Sequence, residues 1–279
     1  MPNPYLPPET LDCIVDNLHD ESKALQICCL VAKSWLPRTR KHLFADVKFS
    51  SSKDLQSWKK TFPDPSTSPA YYTRTLLVGC PQDVTAADAE EDGWIRTFSC
   101  VARLEVDTGW DVNDWGVSLT PFHALSPVLK SLCVSSVHIP PLWVFGLARS
   151  LPHLEDLTLM TYGTAKDDDL DVYGPPTTIP PPSSPPFTGT LILFLPGGVG
   201  PTARRLLGLP NGLHFRTLSL PWFQEGDIVW INALVMECSH TLERLRVEYP
   251  SIGALTWLLR RNQHLTSVCR HLGAVFNPD

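Results

Sequence analysis

Residues 129–134 read Leu-Lys-Ser-Leu-Cys-Val, in which two variable residues and then one separate three apolar residues. The phrase recurs at 101–106, 154–159, 215–220 and 242–247, and weaker copies centre on Val47, Leu76, Leu191 and Val268. Successive copies are 23 to 34 residues apart, and most intervals are 27 to 29 residues. A phrase that returns at such an interval indicates a stack of structural repeats, each of which buries its apolar face against its neighbours.

Each phrase predicts a short β-strand, because side chains alternate between two faces along a strand. Leu104 and Val106 would then point into the interior, as would Leu157 and Leu159. The stretches between the phrases are amphipathic, which predicts helices over 53–62, 140–150, 201–209, 227–238 and 252–262. A strand and a helix in each repeat place the chain in the α/β class.

The first 45 residues have a different pattern, which is typical of three short helices. Leu6-Pro7-Pro8-Glu9 suits a helix entry, because proline is tolerated in a first turn and a carboxylate stabilises the amino end of a helix. Apolar residues three and four apart predict a first helix that ends between 17 and 20. A second helix, capped by Asp20 or Ser22, and a third over 34–42 should follow. Three short helices cannot enclose a large core, so apolar side chains should remain exposed for a partner.

The order of residues in this segment resembles the F-box, over about residues 5–44. The similarity rests on Leu6-Pro7, Glu9, Ile14, Leu18, Leu25, Leu30-Val31, Lys33 and Trp35. This resemblance implies a module that docks on a Skp-type adaptor and, through it, on a cullin. The residues expected to contact the adaptor are Leu6, Pro7, Ile14, Leu18, Leu30, Val31 and Trp35.

The rest of the chain, residues 46–279, resembles leucine-rich repeats in its L-x-x-L-x-L phrase and its spacing. The asparagine that commonly follows the strand in that family is mostly missing. The resemblance therefore implies an irregular leucine-rich-repeat-like solenoid, with loops of uneven length. The widest interval contains a proline-rich loop at 164–188, whose composition suits neither helix nor strand.

Together the two resemblances imply a substrate-recognition subunit of a Skp–cullin–F-box ubiquitin ligase. It would hold an unknown target protein through the repeats and would have no catalytic activity of its own. The pattern is most similar to F-box proteins of mushroom-forming fungi. Strand geometry predicts a solvent-facing set of polar side chains as the candidate target surface: Arg103, Glu105, Asp107, Asp156, Thr158, Ser219, Arg244, Arg246 and Glu248.

Composition excludes several other classes of function. The net charge of -6 opposes binding to nucleic acid, which needs clustered Lys and Arg. No leader peptide or bilayer-length apolar stretch is evident, so we expect a soluble protein of the cytoplasm or nucleus that does not bind membranes. The eight cysteines form no CxxC pair, which predicts reduced and mostly buried thiols. The nine scattered histidines and the acidic run 167–169 lack ligand spacing, so neither metal nor cofactor is expected.

Three alternatives remain open. The three helices could merely cover the first repeat, and the repeats could form an interaction scaffold outside the ubiquitin pathway. The segment from Gly198 to Ala203 fits G-x-G-x-x-A between a strand and a helix, with Glu225 downstream, which would suit a nucleotide cofactor. Pro201 removes an amide from that loop, and the segment keeps the repeat register. A structural role for the loop is therefore favoured.

Overall fold

The computed structural model describes residues 7–64, 66–79, 94–107, 120–125, 127–135, 141–160, 187–194, 199–208 and 213–247. Over these ranges the protein is mixed α/β, with a single sheet of eight parallel strands. The strands are β1 Asp46–Phe49, β2 Thr75–Val78, β3 Arg103–Asp107, β4 Ser131–Ser135, β5 Asp156–Met160, β6 Thr190–Phe194, β7 Thr217–Trp222 and β8 Arg244–Val247.

The helices of the described ranges lie before the sheet or between its strands. They are α1 Pro8–Asn17, α2 Ser22–Val31, α3 Leu36–Leu43, α4 Ser52–Thr61, α5 Pro141–Ser150, α6 Gly200–Leu207 and α7 Ile228–Glu237. Short 3₁₀ turns supplement them at Lys33–Trp35, Pro69–Tyr72, Trp94–Thr97, Thr120–Leu125 and Glu225–Asp227. None of the helices in the described ranges combines the length and the apolar character needed to cross a lipid bilayer.

The strands follow one another across the sheet in chain order, and every neighbouring pair is parallel. The central apolar residue of each repeat phrase is paired with the equivalent residue of the next strand. This row consists of Val47, Leu76, Leu104, Leu132, Leu157, Leu191, Leu218 and Leu245. The strand positions predicted from the repeat are therefore confirmed, including the weak copies; the copy at Val268 lies outside the described residues.

A shared carbonyl fixes this register at the entries to β2, β3, β4, β5 and β8. The carbonyl oxygen of Ala102 accepts hydrogen bonds from the backbone nitrogens of Lys130 and Ser131, at 2.8 and 2.9 Å. Equivalent carbonyls, each accepting from two successive residues of the next repeat, are those of Ala45, Arg74, Lys130 and Arg216. Because both amides are satisfied by one neighbouring repeat, the strands enter the sheet in step.

The apolar side chains of the strands face the helices. Leu104, Leu132 and Leu218 are fully buried, in one cluster with Leu147 of α5 and Leu234 of α7. Helices α5, α6 and α7 contact one another in order along this face of the sheet. Each buried leucine contributes about 1.5–3 kcal/mol of transfer free energy, so the core depends on adjacent repeats and not on any one of them.

The helices between the strands match the predictions to within a few residues at each end. Helices were expected over 53–62, 140–150, 201–209 and 227–238, and they are α4, α5, α6 and α7. The predicted helix at 252–262 lies outside the described residues, and so does most of the proline-rich loop, of which only Phe187 and Thr188 are described.

The amino-terminal helices pack mainly on α3 and carry buried residues outside the main core, namely Val15, Leu25 and Cys28. The predicted cap of α2 is wrong: Glu21 occupies the cap position and no side chain caps the helix. The third helix begins at Leu36, after a 3₁₀ turn at Lys33–Trp35, and Pro37 lies in its first turn, where its missing amide costs nothing.

β1 begins at Asp46, directly after α3. The ring of Phe44 packs edge-on against Trp58 and Phe62, which ties α3 to α4 beside the first strand. The division of the chain into domains 1–45 and 46–279 stays a prediction.

Candidate interaction surfaces

Helix α2 exposes an apolar face. Ile27, Leu30 and Val31 have 63%, 87% and 61% of their surface accessible. These positions are three and four residues apart, so they share one side of the helix. Leu25 and Cys28 occupy the opposite side and are buried. Helix α2 therefore buries one apolar stripe and exposes a second apolar stripe to solvent.

The other residues predicted to contact an adaptor differ in exposure. Ile14 on α1 is 41% exposed and Pro7 is exposed. Leu18 and Trp35 are half-buried, and Leu6 lies outside the described residues. Ile27 was not predicted; an apolar residue two positions from the buried Leu25 is the signal that could have revealed it.

A charged cluster holds α1 against α3. The carboxylate of Asp16 accepts a hydrogen bond from Arg38 Nε at 2.6 Å and a second from Arg38 Nη2. His42 Nε2 lies 2.7 Å from Asp16 Oδ1. The hydrogen bond from Arg38 and then that from His42 hold the pKa of Asp16 far below its usual range. These hydrogen bonds tie α1 to α3.

Hydroxyl hydrogen bonding anchors α2 and α3 together. Thr39 has no accessible surface, and its hydroxyl lies 2.8 Å from the carbonyl oxygen of Trp35. The hydroxyl oxygen of Thr39 also lies 3.1 Å from the sulfur of Cys29 on α2. The inner face of α2 is thus occupied by α3, which leaves the Ile27 side turned outwards.

The second surface is the face of the sheet opposite the helices, which we call the open face. It carries the alternate residues of each strand. Among the predicted target-binding residues, Arg103, Asp107, Arg244 and Arg246 are exposed, and Glu105, Asp156 and Thr158 are half-buried; Glu248 lies outside the described residues.

The expected exposure of Ser219 is wrong, because only 9% of its surface is accessible. Its strand neighbours across the open face are Ile192 on β6 and Arg246 on β8. Both side chains are much longer than serine and reduce the solvent access of Ser219. The alternation of side chains along a strand predicts which face a residue points to, but it does not predict how far the neighbouring side chains extend.

Apolar side chains occupy the middle of the open face and were missed by the sequence reasoning. They are Cys133 on β4, Met160 on β5 and Ile192 and Phe194 on β6, all half-buried. The Cys133 sulfur lies 3.9 Å from the Met160 sulfur. Burial raises the pKa of the Cys133 thiol to about 11, so the thiol is protonated at neutral pH. The signal was present in the sequence: Cys133 and Ile192 are apolar residues at variable positions of the phrase, and Met160 and Phe194 directly follow it.

Two backbone amides at the amino end of α6 donate to one carboxylate. The backbone nitrogens of Val199 and Gly200 donate to the Asp227 carboxylate at 3.0 and 2.8 Å. A carboxylate at this helix end occupies the place that a phosphate would take in a nucleotide site. The arrangement explains the glycine: a Cβ on Gly200 would lie 2.8 Å from Asp227 Oδ1.

Cysteines and histidines form few clusters. Among the described cysteines none is in a disulfide, and the expectation of mostly buried thiols holds only in part. Two are buried (Cys28, Cys238), three are half-buried (Cys29, Cys100, Cys133) and Cys13 is exposed. His240 Nε2 lies 3.0 Å from His214 Nδ1. In the part of the chain that the structure describes, no three His, Cys, Asp or Glu side chains converge as a metal site would require.

Comparison of the sequence with known protein families, with curated proteins and with solved structures finds no match in any of the three. The functional argument therefore depends on the two surfaces described above.

Proposed function

We propose that this chain is the substrate-recognition subunit of a Skp–cullin–F-box ubiquitin ligase. Its amino-terminal helices would dock on the Skp-type adaptor, and an irregular leucine-rich-repeat-like solenoid would hold the target protein. The chain would contribute no catalytic group. It would raise the local concentration of a target lysine near the charged conjugating enzyme.

The observation that carries the proposal is the apolar outer stripe of α2. Three large aliphatic side chains with 61–87% of their surface accessible are costly in water unless a partner covers them. The amphipathic-helix mode of recognition uses anchors at this i, i+3, i+4 spacing. In the resemblance to the F-box, Leu30 and Val31 on α2 and Ile14 on α1 are residues expected at the adaptor.

The repeat part of the proposal is supported by strand order and spacing. Eight strands in chain order, five of them entered through an equivalent shared carbonyl, fit a solenoid of stacked units. The repeats are irregular because their intervals are uneven: 25 residues separate Leu132 from Leu157, and 34 separate Leu157 from Leu191.

The test is adaptor binding by the full chain. We expect a purified Skp-type adaptor to co-elute with the wild-type protein, and cullin to join when added. Substituting Leu30→Asp together with Val31→Asp should abolish co-elution, as should Leu6→Ala with Pro7→Ala. The matched control is Val229→Asp, because Val229 is 62% exposed on α7, outside the helical segment.

The outcomes separate the alternatives. Co-elution that survives both double substitutions would contradict the docking assignment. Binding of a target without adaptor or cullin would favour the second candidate, a repeat scaffold outside the ubiquitin pathway. The nucleotide-enzyme alternative is opposed by the Asp227 carboxylate at the loop, and a nucleotide-induced rise in melting temperature would revive it.

A further inference from the structure

The open face changes character between β4 and β8. Its centre is apolar, with Met160 on β5 and Ile192 and Phe194 on β6 only half-buried. The next strand, β7, presents the short and shaded Ser219, and β8 presents Arg244 and Arg246, both exposed. Across three adjacent strands the open face is thus apolar on β6, recessed at the short Ser219 on β7, and basic on β8.

The register makes this sequence of positions a single row. Ile192, Ser219 and Arg246 are direct partners across β6, β7 and β8. Since neighbouring strands are about 4.8 Å apart, the backbones at Ile192 and Arg246 are separated by about 10 Å, with the low serine between them. The row forms a shallow trough whose one wall is aliphatic and whose other wall carries a guanidinium.

Charge identifies the occupant of this trough. The chain has a net charge of -6, yet the open side of β8 carries two exposed arginines, Arg244 and Arg246. A guanidinium pairs preferentially with a carboxylate, and with two parallel hydrogen bonds where the geometry allows. An aliphatic side chain is the natural neighbour of Ile192 and Phe194.

We propose that the open face from β4 to β8 binds an acidic segment of a partner protein, with carboxylates over Arg244 and Arg246 and aliphatic side chains over Met160, Ile192 and Phe194. The inference rests on the proposed function, because the segment would belong to the target protein. Four strand spacings correspond to about 19 Å, or roughly six extended residues.

The experiment selects random displayed peptides of about twelve residues, roughly twice the length that crosses the face, on the full chain without adaptor. We expect the enriched peptides to combine Asp or Glu with Leu, Ile or Val. In fluorescence anisotropy, Arg244→Glu with Arg246→Glu should raise the Kd of such a peptide about tenfold or more, since like charges then oppose each other. Ile192→Lys should have a similar effect.

The matched control is Lys48→Glu, which reverses an exposed charge on β1, far from the trough, and should leave peptide affinity unchanged. Thermal melting of each variant verifies folding. The inference is overturned if no peptide is enriched, if enriched peptides are basic, or if their affinity is indifferent to the β8 and Ile192 substitutions. A homodimer that Ile192→Lys dissociates would also overturn it, because a second copy would then be the occupant.

Adaptor pull-down on the same variants separates the two proposals. Peptide binding that is intact in a chain unable to capture the adaptor would contradict the proposed function alone. Adaptor capture without acidic-peptide binding would contradict only the inference about the open face.

Discussion

The carboxylate of Asp227 lies 2.8 Å from the backbone nitrogen of Gly200, the first residue of helix α6. It also accepts hydrogen bonds from the amides of Val199, at 3.0 Å, and Gln224, at 2.8 Å. A residue that precedes α7 therefore closes the amino end of the helix in the preceding repeat. This bond joins two repeats through polar groups, beside the apolar contact of α6 with α7.

Asp227→Ala should destabilise the protein by about 1–3 kcal/mol, because three amides lose an acceptor in a buried setting. Asp227→Asn should cost less, since one oxygen can still accept. Urea unfolding measures both. Glu237→Ala, at an exposed position at the end of α7, is the control and should change the free energy of unfolding little. If Asp227→Ala lowered the free energy of unfolding no more than the control does, Asp227 would not stabilise the contact between the two repeats.

Gly189→Ala should be destabilising by about 1–3 kcal/mol or more, as expected when atoms are forced into a packed site. A Cβ at Gly189 would lie 2.0 Å from the carbonyl oxygen of Glu155 and 2.7 Å from Phe187 Cζ. The backbone at the entry to β6 would have to move. Gly226→Ala is the control, because no atom lies within 4 Å of a Cβ there. Equal melting temperatures for the two variants would contradict the prediction.

Acid should weaken the contact between α1 and α3. Arg38 holds the pKa of Asp16 below the ordinary value of 3.8, so the carboxylate stabilises the fold above that pH, and the contribution is lost as the pH falls towards the lowered value. Asp16→Asn should therefore melt at a lower temperature than wild type at neutral pH. The difference in melting temperature between this variant and wild type should become smaller below about pH 4. Asp46→Asn, at an exposed position on β1 outside this cluster, is the control and should change the melting temperature little at neutral pH.

Opposite faces of α2 should respond differently to substitution. Ile27→Ser and Leu30→Ser remove exposed apolar groups, so their free energies of unfolding should stay within about 0.5 kcal/mol of wild type. Leu25→Ala empties a buried position on the same helix and should cost about 2–5 kcal/mol. Denaturant titration of the three variants is the measurement. A large loss for Leu30→Ser would mean that the stripe belongs to an internal contact.

The repeat phrase predicted the strands well because its signal is local. Val47 and Leu191 belong to weak copies, yet both pair in register with their neighbours. Period-two alternation placed Leu104 and Leu157 in the core, and both are fully buried. The helix boundaries followed from the apolar spacing, to within about two residues.

The candidate surfaces were predicted less completely. The resemblance to the F-box nominated Leu30 and Val31 but not Ile27. A periodicity argument could not add Ile27, because it assigns apolar residues of a helix to the core. It nominated Ser219 as exposed, and Ile192 and Arg246 shade it. The docking of an adaptor and the identity of the target stay predictions.

The sequence by itself determined the α/β class, the strand positions and the presence of an unusual helical segment, since these depend on which residues follow one another at a two- or four-residue spacing. Only the tertiary structure decided that Asp227 meets Gly200, that α3 covers one side of α2, and that Ile192, Ser219 and Arg246 form one row. These relations join residues from different repeats or helices, and their contact depends on how the chain folds back, which no local spacing encodes.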